Sequence, residues 1–161
     1  SVIGQNIADN LSHLEIGKGR IIQEGNSVAL VSFGARLDAC KQAIASLNLR
    51  GSYPTLMDAR FGKPLDTILL DKILDNHEFV ITIEEGSIGG FSSSVLDYVH
   101  NRRKTSTSST IKNIIFPDEF VDHNTPENQY KEMGMDAESI SNKILSLVSN
   151  EVVHLTNFTK K

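Results

Sequence analysis

Asp58-Ala59-Arg60-Phe61-Gly62-Lys63-Pro64-Leu65-Asp66 decides the fold, because these nine residues read as the end of a strand, a break and the start of a helix. The β-prone run Ser52 to Met57 carries the chain into Arg60, with the strand itself expected over Tyr53 to Ala59. Gly62 and Pro64 interrupt regular structure. Pro64 falls near the first turn of the next helix, Pro64 to Asn76, where its missing N–H costs nothing. The same order repeats outward. Upstream, Val28 to Phe33 is an apolar run of strand length ended by Gly34, and Ala35 to Leu49 has helical spacing closed by Gly51. Downstream come an apolar strand at Phe79 to Glu84, a helix at Phe91 to Arg102 and a last strand at Ile111 to Phe116, stopped by Pro117. Strands alternating with helices predict an α/β domain with a mostly parallel sheet covered on both faces. Gly19 to Glu24 reads as a first strand joined to the next by the turn signal Gly25-Asn26, so that pair is expected to be antiparallel. Residues 118–135 read as irregular. A final helix runs from Asp136 or Ala137 to Asn150, with Ile140, Ile144, Leu147 and Val148 on one face. Residues 1–14 read as a linker or arm, 15–150 as one domain and 151–161 as a tail.

A chain of 161 residues buries roughly 68–70% of its unfolded surface, enough for a real core. The net charge is −4 and no basic stripe appears, which argues against nucleic acid. Arg102-Arg103-Lys104, beside the Ser/Thr run Ser106 to Thr110, reads as a solvated loop. Cys40 is the single cysteine, so no intrachain disulfide can form, and its place on an apolar helix face reads as a structural thiol. No apolar run reaches 18 residues, so no membrane partner is expected, and no signal peptide is visible. The opening at Ser1 reads as a piece of something longer.

Arg60 is the first candidate site residue. A guanidinium at the carboxyl end of a strand in an open α/β sheet stands where such folds place ligands, and it matches phosphate or carboxylate bidentately. The competing reading is a salt bridge to Asp58 or Asp66. The second candidate is the glycine-rich turn Gly86, Ser87, Ile88, Gly89 and Gly90, which reads as an anion-binding loop, a turn needing positive φ, or a surface packed on a neighbouring domain. Glu84 and Glu85 are adjacent on a strand and point to opposite faces, so they cannot share a proton; one of them reads as a buried ion-pair partner. The five histidines, His13, His77, His100, His123 and His154, show no metal-ligand spacing. No Gly-x-Ser-x-Gly elbow is present, and no complete catalytic apparatus can be assembled from the residues.

Three stretches together resemble a known family: 58–66 (DARFGKPLD), Glu84 to Phe91 (EEGSIGGF) and Phe116 to His123 (FPDEFVDH). Glu15 to Arg20, Ser32-Phe33-Gly34, Gln129-Tyr130 and Gly134-Met135-Asp136 support it in the same order. They resemble the C-terminal, transketolase-like domain of 1-deoxy-D-xylulose-5-phosphate synthases. The 58–66 element is shared with transketolases and with the beta subunits of 2-oxo acid dehydrogenases, while the other two favour the synthase. The resemblance implies a three-layer α/β/α fold with a five-stranded mixed sheet, its first strand antiparallel. It implies a homodimeric enzyme that condenses pyruvate with glyceraldehyde 3-phosphate, with loss of carbon dioxide, for isoprenoid, thiamine and pyridoxal synthesis, in a bacterial cytoplasm or a plastid stroma. Thiamine diphosphate and Mg²⁺ would be bound by other domains of the polypeptide, with no catalytic or metal residue here. Arg60 would bind the substrate phosphate. Ser92-Ser93-Ser94 and Asn124 depart from the residues common in that family at those places. A stand-alone binding or regulatory module on the same fold is the alternative of another class.

Overall fold

The structure, a computed structural model, describes the backbone of residues 13–158 and side chains through residue 149. Most of the proposed arm, residues 1–12, and the last three residues of the proposed tail lie outside the described residues. Five strands, β1 (Arg20–Gln23), β2 (Val28–Phe33), β3 (Thr55–Asp58), β4 (Phe79–Glu84) and β5 (Thr110–Ile114), form one sheet in the order β1-β3-β2-β4-β5. All neighbours are parallel except β1, which runs antiparallel to β3. Helices α1 (Leu37–Leu49) and α5 (Ala137–Phe158) pack on one face, and α2 (Thr67–Asn76) and α3 (Phe91–Asp97) on the other. A short α4 (Pro126–Glu132) precedes α5. This is the expected three-layer α/β/α arrangement with a mixed sheet.

The period-2 pattern explains the two cores. In β2, Val28 and Leu30 face α1 and α5, and Ala29 and Val31 face α2 and α3. Both faces of β2 and β4 are therefore apolar, as central parallel strands require.

The first strand departs from expectation. It is antiparallel, but its partner is β3 rather than β2, with Arg20 opposite Asp58. The six-residue β2 is flanked by β3 on one side and β4 on the other, which leaves β1 no place beside it. The link from β1 to β2 passes over the start of β3, where Asn26 N–H donates to the Tyr53 carbonyl at 2.9 Å. Gly25 lies so close to the Tyr53–Pro54 backbone that a Cβ would overlap it. The glycine that signals a hairpin serves a crossing instead.

Other boundaries shift for local reasons. Asp66 is the N-cap of α2, accepting from Leu69 N–H at 3.1 Å, so Pro64 stays in the loop. Gly34–Arg36 form a 3₁₀ turn before α1, and Tyr98–Arg102 form a π turn after α3. Thr125 caps α4 and Pro126 opens it, in a stretch expected to be irregular. The last helix continues to Phe158, past the expected end at Asn150.

Candidate functional site

The connections that leave the carboxyl ends of β3, β4 and β5 hold 58–66, 84–91 and 116–123, so the three motif-like stretches converge on one edge of the sheet. The order of the sheet makes this the edge where open α/β folds place ligands. The chain moves from β2 outward to β3 and then back across to β4, so the strand order reverses between β2 and β4, the usual place for a ligand crevice. Phe33 at the end of β2 joins the loops: its ring stacks on Phe91 at a centroid distance of 4.8 Å, and Gly62 lies against the tip of the ring.

Arg60 follows β3 with φ +55, a left-handed conformation costly for a residue with a Cβ. Asp58 holds it there. One Asp58 oxygen accepts the Arg60 backbone N–H at 3.2 Å. The other lies 3.0 Å from Arg20 Nε and 3.8 Å from Arg60 Nε. Arg20 thus makes the true charge-assisted hydrogen bond, while the Arg60 side chain, 23% exposed, makes only a looser ion contact. Asp66 is occupied elsewhere, by Leu69 N–H and Gly19 N–H. Beyond the loop an open groove of about 440 Å³ separates Lys63 and Pro64 from Ser93, Ser94 and Asp97 of α3.

The glycine turn after β4 is built around the chain's own carboxylate. Glu84, buried at the end of β4, accepts from Phe91 N–H and Ser92 N–H, each at 2.7 Å. A Cβ at Gly90 would overlap that carboxylate, and one at Gly86 would lie 2.9 Å from it. Gly89 takes φ +101. The first turn of α3 therefore already holds a negative charge, supplied from within the fold. Ser87 and Ile88 stand outside this cap, with Ile88 largely exposed. Phe120 is fully exposed and Val121 partly so in the segment after β5.

Glu85 points the other way, as strand alternation requires. It lies 2.6 Å from Arg36 Nε, off the line of a hydrogen bond, and is the ion-pair partner that the sequence pointed to. The Arg36 guanidinium rests 3.3 Å from the centre of the Tyr130 ring. The Tyr130 phenol is pushed above its usual value of 10.0, first by its hydrogen bond to Glu85 and then by burial. This cluster ties α4 to the ends of β2 and β4. Glu85 and Tyr130 fall in stretches that the sequence singled out, whereas Arg36 does not, its only signal being a cation two residues beyond the strand-ending Gly34.

Arg103 is the exception in a segment that reads as a solvated loop, whose Arg102 and Lys104 are exposed. Its side chain is 1% exposed. It pairs with Asp71 at 2.8 Å and with Asp75, and donates to the Thr105 and Ser106 carbonyls. Thr107 and Ser109 add hydrogen bonds to the Leu74 carbonyl, so the polar run is bound to α2. Cys40 is fully buried, and burial pushes its thiol up to about 11. Among the described residues no group of three His, Cys, Asp or Glu could hold a metal ion, and no helix is long and apolar enough to cross a membrane.

Residues 17–140 match the model of the family described as "Transketolase, C-terminal domain". The chain belongs to the transketolase C-terminal domain family. A solved structure described as a split-gene transketolase, an inactive beta4 tetramer, is similar over 84% of this chain, with 24% identity and a TM-score of 0.73. A transketolase mutant from Pichia stipitis is similar over 83%, with 14% identity and a TM-score of 0.59. A second Pichia stipitis transketolase structure, described as a complex with xylulose 5-phosphate, gives the same values. The chain spans 43% of the first of these proteins and 18% of the other two. At these identities the likeness shows the fold.

Proposed function

We propose that this chain works as the C-terminal domain of a thiamine-diphosphate-dependent enzyme of the 1-deoxy-D-xylulose-5-phosphate synthase kind, where Arg60 receives the phosphate of glyceraldehyde 3-phosphate. The observation that carries the reading is Arg60 itself. It is fixed at the carboxyl end of β3 in a left-handed conformation, yet among the described residues its guanidinium makes no hydrogen bond. An arginine whose backbone is pinned and whose guanidinium donors are unused suits a dianionic, tetrahedral ligand. Family membership supports a transketolase-type context, and the 84–91 and 116–123 elements favour the synthase over other members.

The thiamine diphosphate would supply its carbanion chemistry from the other domains. The described residues do not fit its diphosphate and Mg²⁺: the N-terminus of α3 is occupied by Glu84, and no metal-binding group is present among them. The part left to this domain is to bind, orient and cover. The turn of Gly86, Ser87, Gly89 and Gly90, with exposed Ile88 and Phe120, suits contact with the cofactor-binding domains of the same polypeptide or with its dimer mate. A bacterial cytoplasm or a plastid stroma is the compartment that fits this assignment.

In the full-length enzyme, Arg60→Ala is expected to raise the KM for glyceraldehyde 3-phosphate about 30- to 150-fold, equivalent to the roughly 2–3 kcal/mol of one lost charge-assisted contact. The KM for pyruvate, which has no phosphate, should move far less. Equal changes in both would make Arg60 a structural residue. The isolated chain should turn over neither substrate, and measurable product from it would place the catalytic groups here after all.

A further inference from the structure

We infer that Arg20 is a positioning residue which keeps Arg60 available to its ligand by occupying Asp58, an inference that rests on the phosphate reading of Arg60. Asp58 is a buried carboxylate between two arginines. One of its oxygens is committed to the Arg60 backbone N–H, which pins the left-handed turn. The second oxygen is the one that either guanidinium can take. Arg20 takes it, at 3.0 Å with hydrogen-bond geometry, and Arg60 stays at 3.8 Å. The arrangement follows from the sheet: antiparallel pairing places Arg20 directly opposite Asp58 across the β1–β3 ladder. The odd strand of the sheet thereby delivers a competing cation to the carboxylate nearest the candidate site.

The physics runs in one direction. A carboxylate that has already received a guanidinium has part of its charge offset and its accepting lone pairs directed, so its pull on a second cation weakens. Without Arg20, the second oxygen is bare, and a small rotation brings the Arg60 fork onto it. Arg60 would then be tied into an internal ion pair that a substrate phosphate must break.

The test is steady-state kinetics on the full-length enzyme, with pyruvate and glyceraldehyde 3-phosphate varied separately. Arg20→Gln removes the competing charge and should raise the KM for glyceraldehyde 3-phosphate about five- to tenfold relative to that for pyruvate, the scale of one ordinary net hydrogen bond. Arg20→Lys keeps a cation beside Asp58 and should stay within about twofold of wild type. Adding Asp58→Asn to Arg20→Gln should bring the KM back down, because Asn retains an oxygen for the Arg60 N–H but loses the charge that captures the guanidinium. A role confined to holding the fold predicts the opposite order, with the double variant the worst. No selective rise in Arg20→Gln, an Arg20→Lys enzyme as impaired as Arg20→Gln, or a double variant no better than the single would each overturn the inference. Arg60→Ala is run alongside. If it lacks the selective effect on glyceraldehyde 3-phosphate, the phosphate reading falls and the inference falls with it. If it shows that effect while the Arg20 series does not, only the inference fails.

Discussion

Gly90 shows how a single residue type can be fixed by its neighbour. No left-handed φ requires glycine there; the Glu84 carboxylate does, because it fills the space a Cβ would take. Glu84 has little freedom to yield, being buried and bound to two backbone N–H groups. Gly90→Ala is therefore expected to cost roughly 2–3 kcal/mol in urea unfolding, and Glu84→Ala a similar amount, by leaving two donors without their acceptor. In combination the costs should fall short of their sum, since the clash disappears with the carboxylate. Additive losses would mean that the two residues act independently. At this scale the sequence was only partly legible. Arg60 and the glycine turn stand out because their residue types are unusual at a strand end. What Glu84 does with its charge depends on a chain reversal that brings residues 91 and 92 back over it, and spacing does not record that.

At the scale of elements, neighbouring side chains with the same formula have different fates. Arg103 is buried against Asp71 and Asp75 of α2, whereas Arg102 is 73% exposed beside Asp97. Arg103→Met should destabilise the domain by about 2 kcal/mol, discounted because both aspartates face solvent, and Arg102→Met by less than about 0.5 kcal/mol. Equal losses in chemical denaturation would contradict the division. The sequence could not divide them, since Arg-Arg-Lys before a polar run looks solvated; the π turn after α3 aims one cation inward. Elements set by periodicity were legible: β2, β4 and the body of α1 lie where apolar spacing puts them. Pairing was not. β1 has the composition of a hairpin arm, and only the need of β2 for parallel neighbours on both sides sends it to β3.

Across the whole molecule, three groups lean the same way in alkali. Cys40 is raised from 9.0 to about 11 by burial. Tyr98 is raised by burial and then by its hydrogen bond to Asp71, and Tyr130 by its hydrogen bond to Glu85 and then by burial. Each is more readily deprotonated in the unfolded chain, so the unfolded state loses protons first and stability falls as pH rises. The stabilising contribution is intact below pH 9.0 and is lost through about 11 for the thiol, with the two phenols extending the decline from 10.0 upward. Urea unfolding should lose about 2 kcal/mol between pH 8.5 and 11 from the thiol alone. Cys40→Ala should flatten that slope while lowering the plateau, and an unchanged slope would remove the thiol from the account. The same burial predicts that Cys40 resists alkylation in the native state at pH 8 and reacts on unfolding.

The self-capped helix behind β4 also ranks the strand ends as targets for inhibitors. A compound with a phosphonate group aimed at the N-terminus of α3 meets a resident carboxylate and is repelled by it. The same group presented to the loop after β3 meets a guanidinium whose own carboxylate is already engaged by Arg20. On the phosphate reading of Arg60, a medicinal chemist would anchor an anionic warhead on this domain at the loop after β3 rather than at the glycine-rich turn that Glu84 already caps.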